Sequence, residues 1–147
     1  MKTGFLARRW WPRPTFVAGV LAAMLASCGG GEPTQPSGTT LVFRIRGEPP
    51  SQEFRYVTSS PALIAQAREQ LALPVERRSL FASGAIAAGK GGHNQPWSWH
   101  FTDLALVELA IELCDGRPGL IEPDLDYWLN TVKKFCPWGS YVHAVLP

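Results

Sequence analysis

Only three cysteines occur in the 147 residues, Cys28, Cys114 and Cys136, and none forms a CxxC pair. Structural zinc sites take four ligands, usually from such pairs and from histidines close by, so this set makes a poor zinc site. No Gly-x-Ser-x-Gly stretch is present, which excludes the nucleophile elbow of the α/β-hydrolase type. No acidic residue precedes Cys28, and the apolar run from Thr15 to Ala26 falls short of the roughly 20 residues a helix needs to cross a bilayer core.

What stands at the N-terminus has an order. Lys2, Arg8, Arg9 and Arg13 form a basic leader, the apolar run follows, and Leu25-Ala26-Ser27-Cys28 leads into Gly29-Gly30-Gly31. Small residues before a cleavage point mark an exported chain. With cysteine directly after them the segment resembles a bacterial lipoprotein signal peptide, in which that thiol is acylated and becomes the first residue. The alternative is an ordinary secretory signal followed by a coincidental cysteine. Arg8-Arg9 raises a twin-arginine route, which Trp10-Trp11-Pro12 fits poorly. The organisation expected is therefore a lipoprotein signal peptide over 1–27, a flexible tether rich in Gly, Pro, Ser and Thr over 28–40, and one domain over 41–147. Cys28 is the expected lipidation site and the membrane, through it, the expected partner. The expected location is the cell envelope, lipid-anchored to a bacterial membrane and facing the periplasm or the exterior.

Processing at Cys28 reverses the charge. The whole chain carries 14 basic and 12 acidic residues; loss of the four leader cations leaves ten against twelve, a net −2. Such a domain has no general electrostatic reason to bind nucleic acid. With Cys28 acylated, Cys114 and Cys136 remain as an even pair in an oxidising compartment. A bridge between them closes a loop of about 20 residues, worth on the order of 3 kcal/mol. The stretch from Asn94 to Trp138 holds both of them and four of the six tryptophans, large apolar area for a small core.

The pattern along the domain is α+β: a small antiparallel sheet with two helices and one disulfide. Leu41 to Arg46 alternates apolar with basic, a strand with Phe43 and Ile45 inward, and Glu53 to Thr58 is its antiparallel partner through Phe54 and Tyr56. Ser60-Pro61 reads as helix cap and first helical residue, with Leu63, Ile64, Ala67 and Leu71 as the apolar stripe and Pro74 as the stop. Ser79 to Ala88 is a third strand, its small residues suited to close contact with that helix. Gly89 to Pro96 is the most irregular loop. Trp97, Trp99 and Phe101 alternate onto one face, with Ser98 and His100 on the other. Leu104 to Leu113 fits helix or strand; strand is the reading adopted, in a hairpin with the aromatic strand through Thr102-Asp103. A second helix starts at Glu122-Pro123, and Tyr141 to Leu146 is the last strand.

Asn94-Gln95-Pro96-Trp97-Ser98-Trp99-His100, then Glu108 to Asp115, then Cys136-Pro137-Trp138 resemble the N-terminal domain of the slime-mould cyclic-AMP-inducible prespore proteins. Short secreted bacterial relatives of that domain are labelled calmodulin-binding. The resemblance covers Leu41 to Val145 and implies one α+β domain with a Cys114–Cys136 bridge; it implies no established activity. Calmodulin targets are basic amphipathic helices. Val132-Lys133-Lys134-Phe135 begins like one, but Pro137 and Gly139 follow and break it.

Two classes of function emerge. The favoured one is a lipid-anchored, exported, non-catalytic binding or inhibitory module for an unknown protein or small-molecule ligand. Its binding surface is expected around Asn94, Trp97, Trp99, His100 and Trp138, with no catalytic residue, metal or cofactor. The alternative is a small hydrolase or metal-dependent enzyme centred on His100 with Glu108 and Glu112, Asp115 completing the ligand set for a metal.

Overall fold

A computed structural model describes residues 38–147. The signal peptide expected over 1–27, Cys28 and most of the stretch read as tether lie outside the described residues. The first strand, β1 (Thr39–Ile45), begins inside the end of that stretch. No helix among the described residues is long and apolar enough to cross a membrane.

The fold is α+β, with antiparallel strands divided between two small sheets. In the first, β1 lies between β2 (Phe54–Thr58) and β7 (Ser140–Leu146). Phe43 stands opposite Phe54 and Leu41 opposite Tyr56 in the register, the pairing the alternation predicted. A central strand meets neighbours on both sides, so Val42 is buried along with Leu41 and Phe43. Helix α1 (Pro61–Leu71) starts as the sequence dictates, with Pro61 in its first turn and the Ser60 hydroxyl accepting from the Leu63 N–H at 3.4 Å. Its C-terminal carbonyls go to Arg78. That guanidinium donates to the carbonyls of Leu71, Leu73 and Val142 at 3.3, 3.0 and 2.9 Å, joining α1 to β7.

The second sheet is built on β3 (Phe81–Ala88), with which β4 (Trp99–Phe101), β5 (Ala105–Val107) and β6 (Lys134–Phe135) all pair antiparallel. The hairpin expected at Thr102-Asp103 does not form, and strand structure ends at Val107 instead of reaching Leu113. β4 pairs with Ile86 to Ala88 and β5 with Phe81 to Ser83. In the gap between them the Thr102 N–H donates to the Ala85 carbonyl at 3.0 Å, and the Asp103 carboxylate accepts from the Ala85 N–H at 2.7 Å. The two segments thus follow β3 in succession and do not fold back on each other. The small residues of β3 have a related cause: at Gly84 a Cβ would run into the Asp103 backbone carbonyl, so the glycine admits this crossing and not, as expected, the helix.

The second helix begins earlier than expected and is broken. It passes from α2 (Pro118–Ile121) through a 3₁₀ turn (Glu122–Asp124), α3 (Leu125–Tyr127) and a π turn (Trp128–Val132). Pro123 lacks the N–H a continuous helix would use. Cys114 and Cys136 are disulfide-bonded and buried. Between the sheets lies an aromatic core in which Phe54 stacks on Phe43 at 5.0 Å between centroids and meets Trp99, Phe101 and Phe135. Phe135 also packs edge-on to Trp128.

Candidate functional site

The loop from Gly89 to Ser98 joins β3 to β4 and is irregular but tied down. Gly89, Gly91 and Gly92 have positive φ, conformations that side-chain-bearing residues adopt at a cost. Asn94 is fully buried. Its side-chain oxygen accepts from the Arg55 backbone N–H at 2.8 Å, and its amide nitrogen donates to the Trp99 carbonyl at 2.9 Å. One side chain thereby fixes the loop to β2 and β4. The Trp97 indole N–H donates to the Glu53 carbonyl at 2.8 Å. On the other side, Glu122 accepts from the Ser98 N–H at 2.6 Å and from its hydroxyl.

Under Gly91 sits a pair of histidines. The His93 and His100 rings lie 6.1 Å apart between centroids, nearly perpendicular, and Tyr56 packs on the other side of His93 at 6.2 Å. A Cβ at Gly91 would approach the His100 ring to 2.7 Å, so only glycine lets the loop lie over it. Each Nδ1 is 2.7 Å from a backbone carbonyl, Gly91 for His93 and Gly89 for His100. A carbonyl only accepts, so Nδ1 carries the hydrogen in both rings. His93 Nε2 is buried without a hydrogen-bond partner among the described residues. Burial, then the charge of His100, lowers the His93 pKa, against the Gly91 hydrogen bond that raises it. Burial, then Asp103, raises that of Tyr56. Beside His93 a polar cleft of about 210 Å³ opens, lined by Thr40, Arg55, Gly92 and Gln95 among others.

The residues expected to form one binding surface are spread through the fold. Asn94 and Trp99 are wholly interior and Trp97 nearly so. The alternation that aligned the tryptophans is correct, but the face it defines is the core. His100 is half-buried at the surface. Trp138 is half-exposed and stands beside the disulfide, its backbone N–H donating to the Asp115 carboxylate at 2.8 Å. His93, Arg55 and Gln95 line the cleft instead. Of these, only His93 and Gln95 fall in the irregular loop, and no local pattern marks Arg55.

The alternative centre on His100, Glu108 and Glu112 is not assembled. His100 stands opposite Ala87, whereas Val107 stands opposite Phe81. Six residues of β3 separate those positions, about 20 Å. Glu112 is paired with Lys134 at 2.7 Å, and that hydrogen bond lowers its pKa. Among the described residues no three His, Cys, Asp or Glu side chains gather where they could hold a metal. The Val132–Phe135 stretch is not an open basic helix either, since Lys134 and Phe135 form β6 and Phe135 is fully buried.

A family model described as the BP-74 N-terminal domain, the prespore-protein domain that the sequence motifs resemble, matches residues 39–147. No curated protein and no solved structure matches the chain.

Proposed function

The chain belongs to the family of the prespore-protein N-terminal domain, and we propose that here the domain is a non-catalytic binding or inhibitory module, exported and held at the cell envelope by acylation of Cys28. The observation that carries the non-catalytic reading is that Ser98 and His100, the two groups best suited to chemistry, make no hydrogen bond to each other among the described residues. The Ser98 hydroxyl donates to Glu122 and His100 Nδ1–H to the Gly89 carbonyl, so the two are not assembled as nucleophile and base. The ligand surface is the rigid loop over His93 and His100 with the polar cleft beside it. Loops fixed by a scaffold present adaptable backbone and polar groups at small entropic cost.

Two measurements test this reading. Cys28→Ala should abolish palmitate labelling and membrane fractionation; persistence of both removes the anchor. Arg55→Gln and Gln95→Ala, which alter the cleft, should abolish capture of a ligand that the unchanged chain retains from envelope extract, while His100→Gln leaves it largely intact. A turnover activity lost in His100→Gln at unchanged melting temperature would favour an enzyme instead.

A further inference from the structure

The loop over the two histidines has a fixed half and a hinged half. Asn94, Trp97 and Ser98 are pinned by hydrogen bonds to Arg55, Trp99, Glu53 and Glu122. Ahead of them the chain from Gly89 to Gly92 is exposed, and its three glycines sit at positive φ, where glycine turns freely. Two imidazoles hold this half down. Nδ1–H of His100 donates to the Gly89 carbonyl and that of His93 to the Gly91 carbonyl, each at 2.7 Å. Gly91 itself lies against the His100 ring and against Cε1 of His93. With Nδ1 carrying the hydrogen, His93 Nε2 is a bare lone pair, closed off from solvent and without a hydrogen-bond partner among the described residues. A neutral ring is tolerated there. A proton on Nε2 makes it a charged donor with no acceptor, which burial penalises far more heavily. Relief has two routes: the ring turns and gives up the Gly91 carbonyl, or the glycines above it lift. Both release the hinged half.

We propose that Gly89 to His93 is a pH-operated flap, closed while His93 is neutral and released when Nε2 takes a proton. The groups around the ring offer that proton no acceptor. Tyr56 from β2 and His100 from β4 pack on its two sides, Arg55 and the terminal residue Pro147 line the cleft with it, and Lys90 lies on the flap. Asp103 bears on Tyr56. Burial and the charge of His100 lower the His93 pKa below 6.5 in the closed form, against the Gly91 hydrogen bond. The open form therefore takes up the proton first as pH falls, so closure is complete above about pH 6.5 and weakens below it. Release withdraws Gly92 and His93 from the wall of the polar cleft. A ligand held there at neutral pH is let go in acid, a consequence that rests on the cleft being the ligand site proposed above.

Amide exchange on the full chain in detergent, without ligand, tests the flap alone. The backbone N–H groups of His93 and Asn94 both donate to the Lys90 carbonyl, at 3.1 and 2.8 Å, and report its closure. Their protection, corrected for the intrinsic exchange rate, should fall by up to about tenfold per pH unit below pH 6.5, the slope of one proton. The opening should be local and therefore insensitive to dilute urea, and ring-nitrogen NMR should show His93 protonating over the same range. His93→Gln should remove the slope, and His100→Gln should keep it. Protonation of the His93 ring with both amides still protected overturns the proposal, as does exchange only through urea-sensitive global unfolding or a slope that survives His93→Gln. Should His93→Gln not fold, the ring titration of the unchanged chain decides. Ligand capture enters none of these readings, so the binding function stands or falls separately.

Discussion

Glu122 holds Ser98 by both its backbone N–H, at 2.6 Å, and its hydroxyl. The contact ties the β3–β4 loop to the broken helical run 24 residues later. Replacing Glu122 with Ala should lower stability by about 1 kcal/mol, the scale of a hydrogen bond to a charged group near the surface. Urea unfolding checks this, together with faster amide exchange at Ser98.

Asn94→Leu should be more damaging, although size is kept. It leaves the Arg55 N–H and the Trp99 carbonyl unpaired in the interior, at about 1–3 kcal/mol for each buried group. Asn94→Asp retains the acceptor for Arg55 and loses the donor. A thermal melt should show leucine and aspartate both below the unchanged chain, and loop amides of 89–98 losing exchange protection first.

Gly84→Ala should destabilise by about 1–3 kcal/mol, the range for overpacking a closed interior. The added methyl meets the Asp103 carbonyl, which is backbone, and the Asp103 carboxylate is itself bonded to Ala85. Ala82→Gly, two positions along β3, serves as a control with no such clash. If Gly84→Ala melts with the unchanged chain, the crossing over β3 is not as described.

Reduction of the Cys114–Cys136 bond should cost about 3 kcal/mol, since it spans 22 residues and the unfolded chain regains that loop freedom. Thiol counting on the denatured, unreduced domain should find neither cysteine free. A melting temperature unmoved by reductant would show that the aromatic core alone holds these segments.

The histidines set the direction of the pH dependence. Burial lowers the folded-state pKa of His93 below its ordinary 6.5, and His143 is lowered by burial and then by Arg44. The unfolded chain therefore takes up protons first as pH falls. Stability is complete above about pH 6.5 and declines from there down to the depressed folded-state values. His93→Gln should flatten part of that decline and His143→Gln part of the rest, as read from urea midpoints between pH 7.5 and 5.

The sequence by itself determined the elements whose causes are local. Ser60-Pro61 capped α1 because a hydroxyl and a ring without N–H act within one turn. The alternations at Leu41–Arg46 and Glu53–Thr58 set β1 against β2 across a single turn. The Cys114–Cys136 bond matches the pairing expected if Cys28 is set aside for acylation. Tertiary structure decided everything that depended on a distant edge. Leu104 to Leu113 had strand chemistry along its length, yet only Ala105–Val107 found a partner, because β3 ends there and a strand exists only where another backbone receives its hydrogen bonds. The same holds for the site. The Trp97, Trp99 and Phe101 face was legible, but whether it met solvent or core depended on Phe54 and Phe135, 81 residues apart. Asn94 reads as a loop residue until Arg55 and Trp99 surround it, and His93 pairs with His100 only because Gly91 lets the loop close over both rings.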